Sequence, residues 1–283
     1  MPYFDRIEKT MIFSEQDWIV AKNNKKFNIL KLFEKEIAKD FGIKSKPQLF
    51  LSQNTDVLGS YSSESNTLEI SEPLLLKGKQ YEYLPFTLQD SNMYALYTVC
   101  HELAHLTQYQ KIKGKLDWNP DDDKDGIVIN MSRQSKNQMY SYIKGMADKT
   151  YSADLYYLQP AEYEANKMAI REVRLLITKY QDYCSQQNIE KSIKALKKIQ
   201  QKYMNTASLA ETYQSDNIVR DISYCLQNIF LNKKYPVPEV LKQNVCKACE
   251  ASYRYMQSEH QAQLVARLKK EINRQRAAQE YER

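Results

Sequence analysis

Apolar positions recur along this chain with two different periods. Phe27, Leu30, Leu32, Phe33, Ile37 and Phe41 fall close to helical spacing, so the first forty residues read as mostly helical, with Gly42 as a stop. The period then shortens. Residues 48–52, 57–61 and 67–71 read as short strands, and in the third Leu68 and Ile70 share one face against polar neighbours. The polar stretch from Ser62 to Asn66 suits a hairpin turn, which predicts a small antiparallel sheet. A long helix follows from about Asp90 or Ser91, either of which can cap its free N–H groups, to about Lys113, with Gly114 beyond it. Leu96, Val99, Cys100, Leu103 and Leu106 form its expected buried stripe. Another helix opens at Pro160, where a missing N–H costs nothing. Beyond about residue 182 the pattern is almost wholly helical, broken near Gln186, Thr206 and the Pro236–Pro238 pair. The expected fold class is therefore α+β, predominantly helical with a small antiparallel sheet. The expected division is a domain over 1–182 and a helical C-terminal region over 183–283.

Composition narrows the classes. With 42% hydrophobic residues, 11% aromatic and only 6 Gly in 283 residues, a wholly disordered or low-complexity chain is excluded. Residues 1–150 carry 20 Lys+Arg and 20 Asp+Glu, whereas residues 151–283 carry 21 and 15. The basic excess thus belongs to the helical second half, where a solvated helix surface explains it more simply than nucleic acid does. The 5 Cys form an odd set, and no charged-then-apolar leader opens the chain. No apolar run approaches the ~20 residues of a membrane span. These features predict a protein of the reducing cytoplasm with no membrane partner.

The chemistry is concentrated in His101-Glu102-Leu103-Ala104-His105, in the middle of the long helix. Residues four apart project from one helix face, so both imidazoles can hold one Zn²⁺. Glu102 adjoins the first of them and can reach a metal-bound water as general base. A catalytic zinc needs a third protein ligand, and the chain has only 3 His, the last being the distant His260. A carboxylate is the better candidate, and the helix starting at Pro160 offers Glu162 and Glu164. Glu162 is preferred. Its face continues through Ala165, Asn166 and Ala169, small enough for close helix approach, with Asn166 placed to hydrogen-bond a metal-bound His. Glu164 lies ~200° around the helix and is expected to be solvated.

His101-Glu102-xx-His105 followed by Glu162-xx-Ala165-Asn166 resembles the gluzincin group of zincin metallopeptidases, and most nearly the small bacterial IrrE/ImmA-like peptidases. The resemblance spans roughly residues 45–175. It implies a zincin-like catalytic domain, zinc held by His101, His105 and Glu162, and hydrolysis of a protein or peptide substrate with Glu102 activating water. It also implies that the edge strand of the small sheet receives extended peptide. In the thermolysin-like pattern an Asp stands where this chain has Asn166, and the 56 residues between His105 and Glu162 exceed the spacing of compact relatives. Members often use a Tyr or His to stabilise the oxyanion, and Tyr156 or Tyr157, just before the ligand helix, are the candidates here, with Tyr163 beside Glu162 as another.

Other features have plainer readings. Asp121-x-Asp123-x-Asp125-Gly126 matches the first half of a Ca²⁺-binding loop, but Ser132 stands where a bidentate Glu is needed, so a solvated acidic loop is favoured over a structural Ca²⁺ site. Cys246-Lys247-Ala248-Cys249 has no second Cys or His pair after it and reads as core thiols, as does Cys100. The basic run from Arg267 to Arg276 reads as a solvated terminal helix. Two rival functions keep these residues in other roles: a non-catalytic metal-binding interaction protein, and a helical nucleic-acid-binding protein in which the His pair is incidental.

Overall fold

The computed structural model describes residues 8–53, 57–76, 90–112, 114–116, 157–158, 160–204, 206–230 and 232–247. The acidic loop, Tyr156, Cys249, His260 and the basic run from Arg267 lie outside them. The chain divides into two compact units, one comprising Met1–Ser132 with Pro160–Ala207, the other Arg133–Gln159 with Ser208–Arg283.

The first unit is mostly helical around a small sheet. Its elements are α1 (Glu15–Val20), α2 (Asn23–Asp40), β1 (Gln48–Ser52), β2 (Gly59–Ser62), β3 (Thr67–Ser71), α3 (Ser91–Ile112), α4 (Pro160–Tyr180) and α5 (Gln186–Met204). Ser14 caps α1 by accepting from the Asp17 amide. Gly42, at φ +70, ends α2 in the left-handed conformation that costs glycine nothing, and Gly114, at φ +64, follows α3 in the same way. The α5 helix belongs to this unit and packs against α4.

The sheet is mixed, which corrects the antiparallel expectation. Its order is β1-β3-β2, with β2 antiparallel to β3 and β1 parallel to it. The hairpin from Ser62 to Thr67 forms as the polar turn requires, with Asn66 at φ +50. Alternation along β1 specifies which side chains point inward, but not the direction of the neighbour. β2 occupies one flank of β3, and β1 pairs with the other, running parallel to it. Leu49, Leu68 and Ile70 form the buried face, turned onto the core with α3.

Helix α3 is enclosed by its neighbours. It packs against α4 on one side and against α2, β2, β3 and α5 on others. All five residues of its expected stripe are fully buried. A buried ion cluster ties α4 to the start of the chain: the Glu36 carboxylate on α2 pairs with Lys9 and Lys179 and accepts from the Tyr180 hydroxyl at 2.8 Å. Phe13 stacks on Tyr180, and Phe33 meets both rings edge to face.

The second unit holds α6 (Ala207–Tyr213, whose first residue closes the first unit) and α7 (Ile218–Phe230), and the chain turns helical again from Glu239. Ser215 donates to Asp221 at 2.6 Å, and Arg220 pairs with the same carboxylate. Cys225 is a fully buried thiol that burial pushes up to about 12, in keeping with a core role. No helix among the described residues is long and apolar enough to cross a membrane.

Candidate metal centre

His101 and His105 lie one turn apart on α3, and their rings meet edge to face with centroids 4.6 Å apart. Ala161, Ala165 and Ala169 on α4 are buried, and such small side chains admit the backbone of α4 close to α3. That approach brings Glu162, 5% exposed, onto the His pair. His101 Nε2 stands 3.3 Å from Glu162 Oε2, His105 Nε2 stands 3.4 Å from Glu162 Oε1, and the two Nε2 atoms are 3.1 Å apart. A tetrahedral ion with bonds of ~2.0–2.1 Å has donor-to-donor edges of ~3.3 Å. Each imidazole nitrogen faces a different oxygen of the Glu162 carboxylate at about that separation, and one donor atom from each of the three side chains lies within 4.8 Å of the others, so the group could hold a metal ion.

The electrostatics of the group call for positive charge. Burial opposes protonation of His105, yet the Glu162 carboxylate, together with Glu102 and Gln108, lifts it to about 9. Burial likewise opposes ionisation of Glu162, but His105 and His101 hold its carboxyl well below the usual carboxylate range. Two imidazole nitrogens beside a buried carboxylate make a site that favours a cation.

The surrounding contacts fix the rings unequally. Gln108, one turn beyond His105 and 2% exposed, places Oε1 3.0 Å from His105 Nδ1 and donates through Nε2 to the Ala161 carbonyl at 3.0 Å. Sequence reasoning missed it, although a Gln three residues after the second His lies on the same helix face. Asn166 does not contact a His ring as expected. Its Oδ1 accepts from the Tyr97 hydroxyl, because Tyr97 sits one turn before His101 and fills that position first. The Tyr97 ring packs against His101 at 5.8 Å and stacks on Tyr203 of α5 at 5.3 Å. His101 Nδ1 is buried and has no hydrogen-bond partner among the described residues.

The remaining candidates fall as follows. Glu102 is buried, 7% exposed, on the turn that carries His101. Glu164 is half-buried rather than solvated and is not part of the group. Tyr156 is outside the described residues, and Tyr157, half-buried, belongs to the second unit. Tyr163 is half-buried on α4. Among the described residues no other group of His, Cys, Asp and Glu gathers closely enough to hold a metal. Cys100 is buried in the core, and burial raises its thiol well above the ordinary range, in keeping with a core thiol.

Comparison of the chain with protein-family models, with curated proteins and with solved structures finds no match. The functional reading therefore rests on the geometry of the site and the chemistry of its residues.

Proposed function

We propose that the protein is a zinc-dependent metallopeptidase of zincin-like architecture. The carrying observation is that one carboxylate from α4 lies within 3.4 Å of both imidazoles from α3, one oxygen towards each, with Glu102 on the same turn as the first imidazole. Two nitrogens and one oxygen suit Zn²⁺, and three protein ligands are the number that leaves a catalytic position open. A bound zinc supplies Lewis-acid chemistry, making a water acidic near neutral pH and polarising a carbonyl. Glu102 accepts the proton of the attacking water and delivers it to the leaving amine, so hydrolysis of the amide balances without another co-reactant. Among the described residues β2 is an edge strand of the sheet and lies alongside α3, which supports the same reading, since an edge strand can pair with an extended peptide. The substrate class is accordingly a protein or peptide.

Glu102→Gln tests this reading. The variant is expected to keep its zinc and to lose cleavage of a peptide library by about 100-fold or more. Equal cleavage by wild type and variant would remove Glu102 from the reaction. Zinc in both with cleavage in neither would favour the non-catalytic metal-binding protein.

A further inference from the structure

The amide of Gln108 joins the two helices that supply the metal donors. Its Nε2 lies 3.0 Å from the Ala161 carbonyl, which can only accept a hydrogen bond. That contact fixes the orientation of the amide, with the NH₂ end towards α4 and Oε1 towards α3. Oε1 in turn can only accept, and it lies 3.0 Å from His105 Nδ1. In the neutral ring Nδ1 must then carry the hydrogen, and the lone pair is left on Nε2, the atom facing His101 Nε2 and Glu162. A backbone carbonyl on α4 thus decides which nitrogen of a ring on α3 is free to bind metal. Ala161 is also the residue directly before Glu162, so the same side chain ties the carboxylate's backbone to the imidazole. Gln108 is buried, and neither end of its amide has been left to solvent.

We propose that Gln108 is a positioning residue for the metal centre, selecting the Nε2-binding form of His105 and holding the first turn of α4 in register with it. This rests on the reading of His101, His105 and Glu162 as zinc ligands. His101, whose Nδ1 has no such partner among the described residues, depends on packing against Tyr97 for its orientation. Outer hydrogen bonds to metal-bound imidazoles contribute ~10–100-fold in metal affinity.

Zinc affinity, measured by competition with a chromophoric chelator, and the nitrogen shifts of His105 in ¹⁵N-labelled protein test the assignment in the full chain. Gln108→Met, which fills the volume without hydrogen bonds, is expected to weaken zinc binding by ~10–100-fold and to alter the visible spectrum of the Co²⁺-substituted protein. Gln108→Glu keeps the acceptor facing Nδ1 and is expected to fall closer to wild type than Gln108→Met does. In the zinc-loaded wild type, His105 is expected to show a protonated Nδ1 and a metal-bound Nε2, a result that needs no variant to fold. Metal on Nδ1, or a folded Gln108→Met with wild-type affinity and spectrum, overturns the role of Gln108 while leaving the zinc site intact. A wild type that takes up no zinc overturns the metal reading itself.

Discussion

Gly59 on β2 presses against the helix turn that carries Glu102. A Cβ at this position would come within 2.6 Å of Thr98 Cγ2, 3.0 Å of the Glu69 carbonyl oxygen and 3.3 Å of Glu102 Cγ. Thr98 cannot turn aside freely, because its hydroxyl donates to the Tyr94 carbonyl at 2.8 Å. The edge of the sheet is therefore seated on the turn that carries Glu102, with no room for a methyl group. Gly59→Ala is expected to destabilise the fold by about 1–3 kcal/mol, the usual range for overpacking. It should also lower peptide cleavage by shifting Glu102. Adding Thr98→Ser, which removes Cγ2 but keeps the hydroxyl, should restore part of both losses. Urea unfolding of the two single variants and the double variant measures the coupling, and strictly additive effects would contradict the contact.

The ion cluster around Glu36 holds the end of α4 far from Glu162. Lys9, Lys179 and Tyr180 converge on this one buried carboxylate, and despite burial those contacts keep its carboxyl below the ordinary range. Removing Lys9 leaves Lys179 as the cation paired with this carboxylate. Lys9→Met and Tyr180→Phe are each expected to cost about 1–3 kcal/mol, the range for one bond to a charged acceptor. Denaturant unfolding reads both values, and a Lys9→Met variant as stable as wild type would show that the pair contributes nothing.

Glu172, on the same helix, works against stability at alkaline pH. Burial raises its carboxyl from 4.5 to about 7, with Asp40 and Glu36 adding to the rise and Lys179 opposing it. Below about pH 4.5 folded and unfolded forms are both protonated and the group costs nothing. Between about 4.5 and 7 the unfolded chain gives up its proton first, so stability falls as pH rises, and above about 7 the full cost is present. Glu172→Gln, which stays neutral, should be more stable than wild type by about 1–3 kcal/mol at pH 8 and no more stable at pH 4. A difference that does not change between those two pH values would contradict this account.

Much of this architecture was legible in the residues because local chemistry determines it. The strands 48–52 and 67–71, the limits of α3 and the start of α4 at Pro160 follow from alternation, capping and glycine stops, and the structure places them there. The second strand begins at Gly59 rather than Val57. The convergence of His101, His105 and Glu162 was readable for a similar reason: helical spacing puts the His pair on one face, and small residues on α4 allow approach. What could not be read depends on contacts distant in sequence. The parallel direction of β1 against β3 is a long-range pairing that alternation along either strand does not specify. The partner of Asn166 is decided by Tyr97, 69 residues earlier. Gln108 lay within reach of helix geometry, but its second contact, to the Ala161 carbonyl 53 residues away, did not.

The central claim is that one metal ion is shared between α3 and α4, and metal content after exhaustive dialysis against zinc-free buffer measures it most directly. The account predicts one zinc per wild-type chain, retention of that zinc by Glu164→Ala, and its loss by Glu162→Ala with the fold preserved by circular dichroism. Full zinc in Glu162→Ala, or none in the wild type after zinc loading, would contradict it.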